Sequence, residues 1–444
     1  MRKLTSVRQI GELNPIPGAD AIEVATIDGW KLVVKRGEFK VGDYCVYFEI
    51  DSFLPKENPV FAFLMTRGVR TFEGGEGHKL KTIKLRGQLS QGLALPLSSF
   101  PVLQVLFKGE RKLEIEELQT QFGLTAAQAE DWRNIYYGMH EYEAELAVQD
   151  FDYSNLLGVR KWEATLPAQL VGQARGLFPS FIPKTDQERC QNLKTHIFGF
   201  DDTTTPFDVA NIPQEAIDTM LQKGDLQLIN GIYHRVHQAK ASPFDIYEVS
   251  LKLDGSSFTA YVKEDDEGNP TTGVCSRNLE LKVNEENADN SFVKMFIDSG
   301  LQKAMLEVYA NTKLMNGRNF AFAVQGELMG PGIQGNREGF THNKLFIFNV
   351  YDINQGFQLP PMLAQDVVKE LKKLGVTADV DYVPVIDTAV KLDELGLRSV
   401  EDLLSFAEGP SLVNPVREGL VFKRMDGQFS FKAISNKYLL GEKD

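Results

Sequence analysis

Over the first hundred residues, apolar and polar positions alternate in short runs, each bounded by turn residues. Residues 21–27, 30–34, 43–49 and 80–85 read as strands of period two. Short strands at this spacing predict a small β-barrel. The pattern then becomes helical: Leu113, Leu118 and Phe122 approximate one apolar face, and Thr125 suits an N-cap before the helix-forming run to Arg133. Further on, strands and helices intersperse. Residues 213–223 and 362–374 have helical character, the second ending Lys372-Lys-Leu-Gly375 in the manner of a helix C-terminus, while 322–330, 345–352, 418–424 and 430–438 read as strand segments. The expected class is α+β, with an N-terminal barrel over 1–112, a helical connector or insertion over 113–155 and a sheet-based domain over 156–444.

One strand carries chemistry. Tyr247, Val249, Leu251 and Leu253 alternate, which places Glu248, Ser250, Lys252 and Asp254 on the opposite face. An amine and carboxylates then share one pocket. Lysine is a nucleophile only when neutral, so a reactive Lys252 needs desolvation or a nearby cation. A hydrated Mg²⁺ at Asp254 would lower the amine's pKa and withdraw charge from a phosphate under attack. By itself the Lys-Leu-Asp-Gly string also fits a surface strand ending in an Asp-Gly turn. Downstream, isolated acids and bases recur on strand-like segments: Ser276-Arg-Asn278, Glu327 within Phe322–Gly330, Phe348, Glu418 and Lys423 within Glu418–Arg424, and Lys432 within Ser430–Tyr438. Glu327, between an apolar strand and a glycine-rich turn, needs a partner if buried.

This ordered set resembles the covalent nucleotidyltransferases, the superfamily of polynucleotide ligases and capping enzymes, over roughly residues 160–444. Gly326-Glu-Leu-Met-Gly330 and Lys432-Ala-Ile-Ser-Asn-Lys-Tyr438 look most like nick-sealing RNA ligases, and the group resembled is the one with an N-terminal OB-type domain. The resemblance implies an ATP-dependent RNA ligase that joins a 3′-hydroxyl to a 5′-phosphate through lysyl-AMP and adenylylated RNA. Lys252 would carry AMP. Asp254, Glu327 and Glu418 would receive the waters of Mg²⁺ or Mn²⁺, and Lys432 would neutralise phosphate charge. Glu248, Leu251, Phe348 and Lys423 would surround the nucleotide, with Phe348 stacking on adenine; Arg277 would touch ribose or the nucleic-acid end. In a regular strand Lys423 would face away from Glu418. Two departures stand out. Ile434 occupies a position where many RNA ligases have a second lysine, for which Lys437 or Arg235 would have to compensate, and Ser257 stands where asparagine is common. Lys184 also precedes a Thr-Asp pair, but no glycine follows. DNA or mixed nick joining, and an RNA-binding factor without catalysis, are the alternatives.

Charge changes the picture of the N-terminal region. The chain carries a net charge of -13, yet residues 1–112 hold 17 Lys or Arg against 12 Asp or Glu, whereas 113–155 hold ten acids against Arg133 alone. The barrel can therefore meet phosphates and the acidic segment cannot. Residues 84–93 resemble the closing segment of OB-type tRNA-binding domains. Lys31, Lys35, Arg36, Lys84 and Arg86 are the candidate RNA contacts, with Trp30 as a stacking group. The expected partners are RNA ends, in a nicked duplex or a broken tRNA, and a monomer is favoured. Cys45, Cys190 and Cys275 lack zinc spacing, and His234 and His237 lack partners. With no apolar run long enough for a membrane span and no secretory signal, the expected location is cytoplasmic.

Overall fold

The computed structural model describes residues 3–108, 112–141, 151–163, 172–185, 187–198, 245–311 and 319–441. The expected helix at 213–223 lies outside them, as do His234, Arg235 and His237. The chain forms two compact units, one holding Met1–Thr165 and the other Leu166–Phe198 with Lys240–Gly441.

The first unit is strand-rich, as its alternation predicts. Thr5–Gln9, Tyr44–Phe48 and Leu93–Pro96 form one antiparallel sheet, and Glu12–Pro15, Ile22–Ile27 and Trp30–Lys35 another. Ile83–Leu85 and Gln88–Ser90 make a hairpin around Arg86 and Gly87, whose φ angles of 51° and 77° are those of a tight primed turn. The expected strand at 80–85 is shorter because Leu80 exchanges main-chain hydrogen bonds with Asp51 and Ser52, extending the preceding strand Gly75–Lys79 instead.

Trp30 is not a stacking group for RNA. Its period-two partners Leu32 and Val34 point inward with it, and Trp30 is fully buried, its ring 5.9 Å from that of Tyr47. Lys31 and Lys35, on the other face of the same strand, are exposed.

Two helices follow, Ile115–Phe122 and Ala126–Glu141, the second longer than the sequence predicts. Thr125 opens it in a capping box: the Gln128 N–H donates to Thr125 Oγ1 at 3.2 Å and the Thr125 N–H to Gln128 Oε1 at 2.9 Å. The helices do not stand apart as a connector. Leu118, Ala129, Trp132, Ile135 and Met139 share one core with Val7, Val46, Phe48 and Leu103 of the strand-rich region, while Glu114, Glu116 and Glu130 face solvent. Arg160–Lys161 adds an edge strand to Ser52–Pro55. The expected boundary at residue 112 therefore separates no two cores, and residues up to 163 complete the first unit.

Among the described residues the second unit holds two sheets. In the five-stranded sheet the order is Glu188–Arg189, Ser430–Ile434, Gly419–Arg424, Tyr247–Lys252, Val385–Val390. The larger sheet centres on Ser256–Glu264, Phe322–Met329 and Lys344–Asp352. Among the described residues its strands pair antiparallel, except for Val380–Tyr382 beside Lys344–Asp352. Helices Ser291–Asp298, Leu301–Ala310 and Pro361–Lys373 pack on the larger sheet around Phe296, Met305, Val324 and Leu371. The chain crosses from one sheet to the other between Lys252 and Ser256, so the motif lies at their junction. Gly255 is required there: a Cβ would come within 2.4 Å of the Leu328 carbonyl oxygen and 2.8 Å of Met329 Cγ.

Trp132 joins the helices to the barrel core and donates from Nε1 to the Val102 carbonyl at 3.2 Å. Trp132→Ala is expected to cost about 3–5 kcal/mol in denaturant unfolding of the whole chain. A loss below about 1 kcal/mol would show that the helices do not share the barrel's core.

Candidate active site

Strand register decides which side chains meet. Glu248, Ser250 and Lys252 stand opposite Lys423, Val421 and Gly419; Val421 and Gly419 in turn stand opposite Lys432 and Ile434. Directly opposed residues of antiparallel strands share a face. Glu248, Ser250, Lys252, Lys423, Lys432 and Ile434 therefore line one face, while Tyr247, Val249, Leu251, Leu420, Phe422 and Phe431 fill the core on the other. The Leu251 side chain is thus a core group. Lys423 lies on the face of Lys252. Glu418 precedes the strand and reaches Lys252 from its entry point. At the next residue, Gly419, a Cβ would sit 2.2 Å from the Ala433 carbonyl oxygen, so only glycine permits this approach.

Three carboxylates gather around one amine. Lys252 Nζ is 2.6 Å from Glu418 Oε1, with the two side chains 25% and 16% exposed. Glu327 Oε1 accepts the Gly255 N–H at 2.9 Å, and Asp254 Oδ2 accepts the Tyr438 hydroxyl at 2.8 Å. Burial alone would lower the Lys252 pKa, but Glu418, Glu327 and Asp254 outweigh it and leave the ammonium favoured beyond its ordinary range. Burial pushes Glu327 up to about 7, with Glu418 adding to the rise and Lys252 opposing it. The resting site is therefore a protonated lysine held by an excess of carboxylates. Glu418 Oε2 is buried without a hydrogen-bond partner, an atom suited to a water on a divalent cation. Among the described residues no three such groups converge closely enough to ligate an ion directly.

A second cluster lies further along the same face. Glu248 is 1% exposed and accepts the Tyr382 hydroxyl at 2.9 Å and Gln365 Nε2 at 2.7 Å. Lys423 Nζ lies 4.0 Å from Glu248, donates to the Phe348 carbonyl and sits 5.8 Å from the Phe348 ring centroid. Burial lowers its pKa to about 8. Glu248, Phe348 and Lys423, far apart in sequence, are thus neighbours.

An RNA ligase family profile matches residues 245–435 and an OB-fold domain profile matches residues 4–97. The Naegleria gruberi RNA ligase, solved as a lysine-to-alanine variant with ATP and Mn, is 36% identical over 99% of this chain and 99% of that one, with a TM-score of 0.65. The chain belongs to the RNA ligase family. The same Naegleria ligase solved with pyrophosphate gives a TM-score of 0.62, and a glutamate-to-alanine variant with AMP and Mn gives 0.64, both at 36% identity over 99% of this chain and over 98% and 99% of theirs. Among curated proteins none matches.

Within this RNA ligase the remaining site candidates scatter more widely. Lys432 is half-buried on the site face, and Ser257 stands opposite Glu327. Arg277 is exposed in the turn before Leu279–Leu281, where Lys184 Nζ donates to Asn278 Oδ1 at 3.3 Å. Lys437 is 68% exposed and pairs with Glu408 at 2.7 Å, and Ile434 is buried. Sequence reasoning misses Arg417 and Arg337. Arg417 is buried and donates to the carbonyls of Phe406, Ala407 and Glu408 at 2.7, 2.9 and 2.8 Å, capping helix Val400–Phe406 and fixing the chain just before Glu418. Its adjacency to Glu418 was the available signal. Arg337 Nε lies 3.4 Å from Asp254 Oδ2, a contact across the fold that no local pattern marks.

The raised Glu327 pKa sets a pH dependence. Without a divalent ion, its contribution to stability is present below the ordinary carboxylate pKa and is lost as pH rises through about 7. Ionised Glu327 favours a cation, so the Tm increase produced by Mg²⁺ is expected to grow from pH 6 to pH 8 and to lose that growth in Glu327→Gln. An equal Mg²⁺ shift at both pH values in the unaltered protein would contradict this assignment.

Proposed function

We propose that this ATP-dependent RNA ligase seals RNA ends in three nucleotidyl transfers carried by Lys252. In the first, the Lys252 amine attacks the α-phosphorus of ATP, the phosphorus–nitrogen bond forms and pyrophosphate leaves. In the second, AMP passes to an RNA 5′-phosphate. In the third, a 3′-hydroxyl attacks that phosphate and AMP departs. The observation that carries the reading is the Lys252–Glu418 contact of 2.6 Å within a pocket that also holds Asp254 and Glu327. A protonated Lys252 sheds one proton before attack and another once the new bond forms, and Glu418 is placed to accept.

A hydrated Mg²⁺ or Mn²⁺ held by Asp254, Glu327 and Glu418 would offset the carboxylate field that keeps Lys252 protonated and would stabilise charge on the attacked phosphate. Glu248, Phe348 and Lys423 form the adenosine side. Replacing Gln365 and Tyr382 as partners of Glu248 would let that carboxylate meet the base. Lys432 takes the phosphate charge, and Arg277 takes the ribose or the RNA end. In the first unit Lys31, Lys35, Arg36, Lys84 and Arg86 hold the RNA backbone. The substrates are RNA ends, in a nicked duplex or a broken tRNA.

With α-labelled ATP and Mg²⁺, Lys252→Ala is expected to lose covalent AMP labelling by at least about a thousandfold, and full labelling of that variant would reject the reading. Nicks with a ribose 3′ end are expected to be sealed faster than deoxyribose nicks, as measured in parallel sealing assays; equal rates would favour mixed nick joining.

A further inference from the structure

Arg337 is a cation set at the mouth of the carboxylate cluster by more structure than an ion pair requires. Its backbone is locked on both sides. Glu338, 6% exposed, accepts the Val413 and Asn414 N–H groups at 2.6 and 3.0 Å, and Asn414 Nδ2 donates to the Arg337 carbonyl at 3.2 Å. Asn336, at φ 41°, closes a small loop through hydrogen bonds with both main-chain groups of Phe340. A non-glycine residue in that conformation costs energy that its surroundings must offset, and such positions cluster at functional sites.

The side chain is equally prepared. The guanidinium lies 4.4 Å from the Tyr438 ring centroid, and its contact with Asp254 is a single one, through Nε at 3.4 Å. Tyr438 itself donates to the same Asp254 oxygen. Among the described residues both terminal nitrogens of Arg337 are without hydrogen-bond partners, and the side chain is 31% exposed. A stacked, planar fork with two unused donor groups is the arrangement that receives phosphate oxygens bidentately.

The charge inventory points the same way. On the site face Lys252 is the nucleophile, Lys423 is committed to the Phe348 carbonyl and Glu248, and Ile434 contributes no charge. Lys437 pairs with Glu408. A transfer that moves polyphosphate past three carboxylates needs cations beyond Lys432. We propose that Arg337 is a phosphate-binding residue of the reaction, holding either the departing pyrophosphate of ATP or the 5′-phosphate of RNA. This assignment rests on the ligase chemistry placed on Lys252 above.

Two assays separate the two sources. Lysine labelling with varied ATP reports the triphosphate; single-turnover sealing of pre-adenylylated nicked RNA, varied in RNA concentration, bypasses ATP and reports the RNA phosphate. Arg337→Ala and the longer Arg337→Gln are expected to raise the KM in one of the two by about tenfold or more, and Arg337→Lys to recover part of the loss. A raised KM for ATP assigns the pyrophosphate, and a raised KM for RNA assigns the 5′-phosphate. Unchanged KM in both assays overturns the proposal even if kcat falls, because an arginine that only positions Asp254 alters kcat alone. Variants are compared only if their thermal unfolding matches the unaltered protein, and Arg337→Gln, which keeps more of the aliphatic stem than alanine does, serves if the alanine variant unfolds. Lys252→Ala run alongside must abolish labelling; persistence there rejects the underlying ligase chemistry rather than the role of Arg337.

Discussion

The candidate site is built around the approach of Lys252 to Glu418, 2.6 Å apart at the junction of two sheets. An ammonium is a poor nucleophile, and here three carboxylates stabilise it against the burial that would otherwise release its proton. The same carboxylates, one with its second oxygen unpartnered and another with its pKa lifted toward neutrality, are poised for a cation. The amine is thus held as an ammonium, and a positive charge placed among these carboxylates would oppose that hold.

That cluster exists because two glycines allow backbones to touch. Gly255 brings the turn after Lys252 against the strand that bears Glu327, and its N–H fixes the Glu327 carboxylate. Gly419 lets the strand after Glu418 lie between Lys252 and Ile434. Arg417, buried against the end of helix Val400–Phe406, holds the residue before this strand in place. Positioning comes from packed main chain, so the acidic side chains need little ordering of their own when substrate arrives.

Much of the first unit's architecture is local. Period-two alternation locates its strands, and the capping pair of Thr125 and Gln128 marks its second helix. What the alternation leaves undecided is which face turns inward and what covers it. Trp30 reads as an aromatic among lysines but is the inward member of its strand. The acidic helices read as a spacer because their charges are visible in sequence, whereas their apolar side is matched only in three dimensions by Val46 and Phe48.

For the candidate site, residue type and order in the chain determined the candidate lysine, Lys252, and the face it shares with Glu248 and Ser250, because a strand's alternation is a property of neighbours along the chain. Tertiary structure alone decided the rest. Lys423 and Glu418 converge on one face although their spacing in a regular strand opposes them, since Glu418 lies just outside the strand. Arg337 and Tyr438 meet Asp254 from 83 and 184 residues away in the chain, distances at which no periodic signal survives. Electrostatic roles are set by what surrounds a charge, and only the folded chain brings those surroundings together.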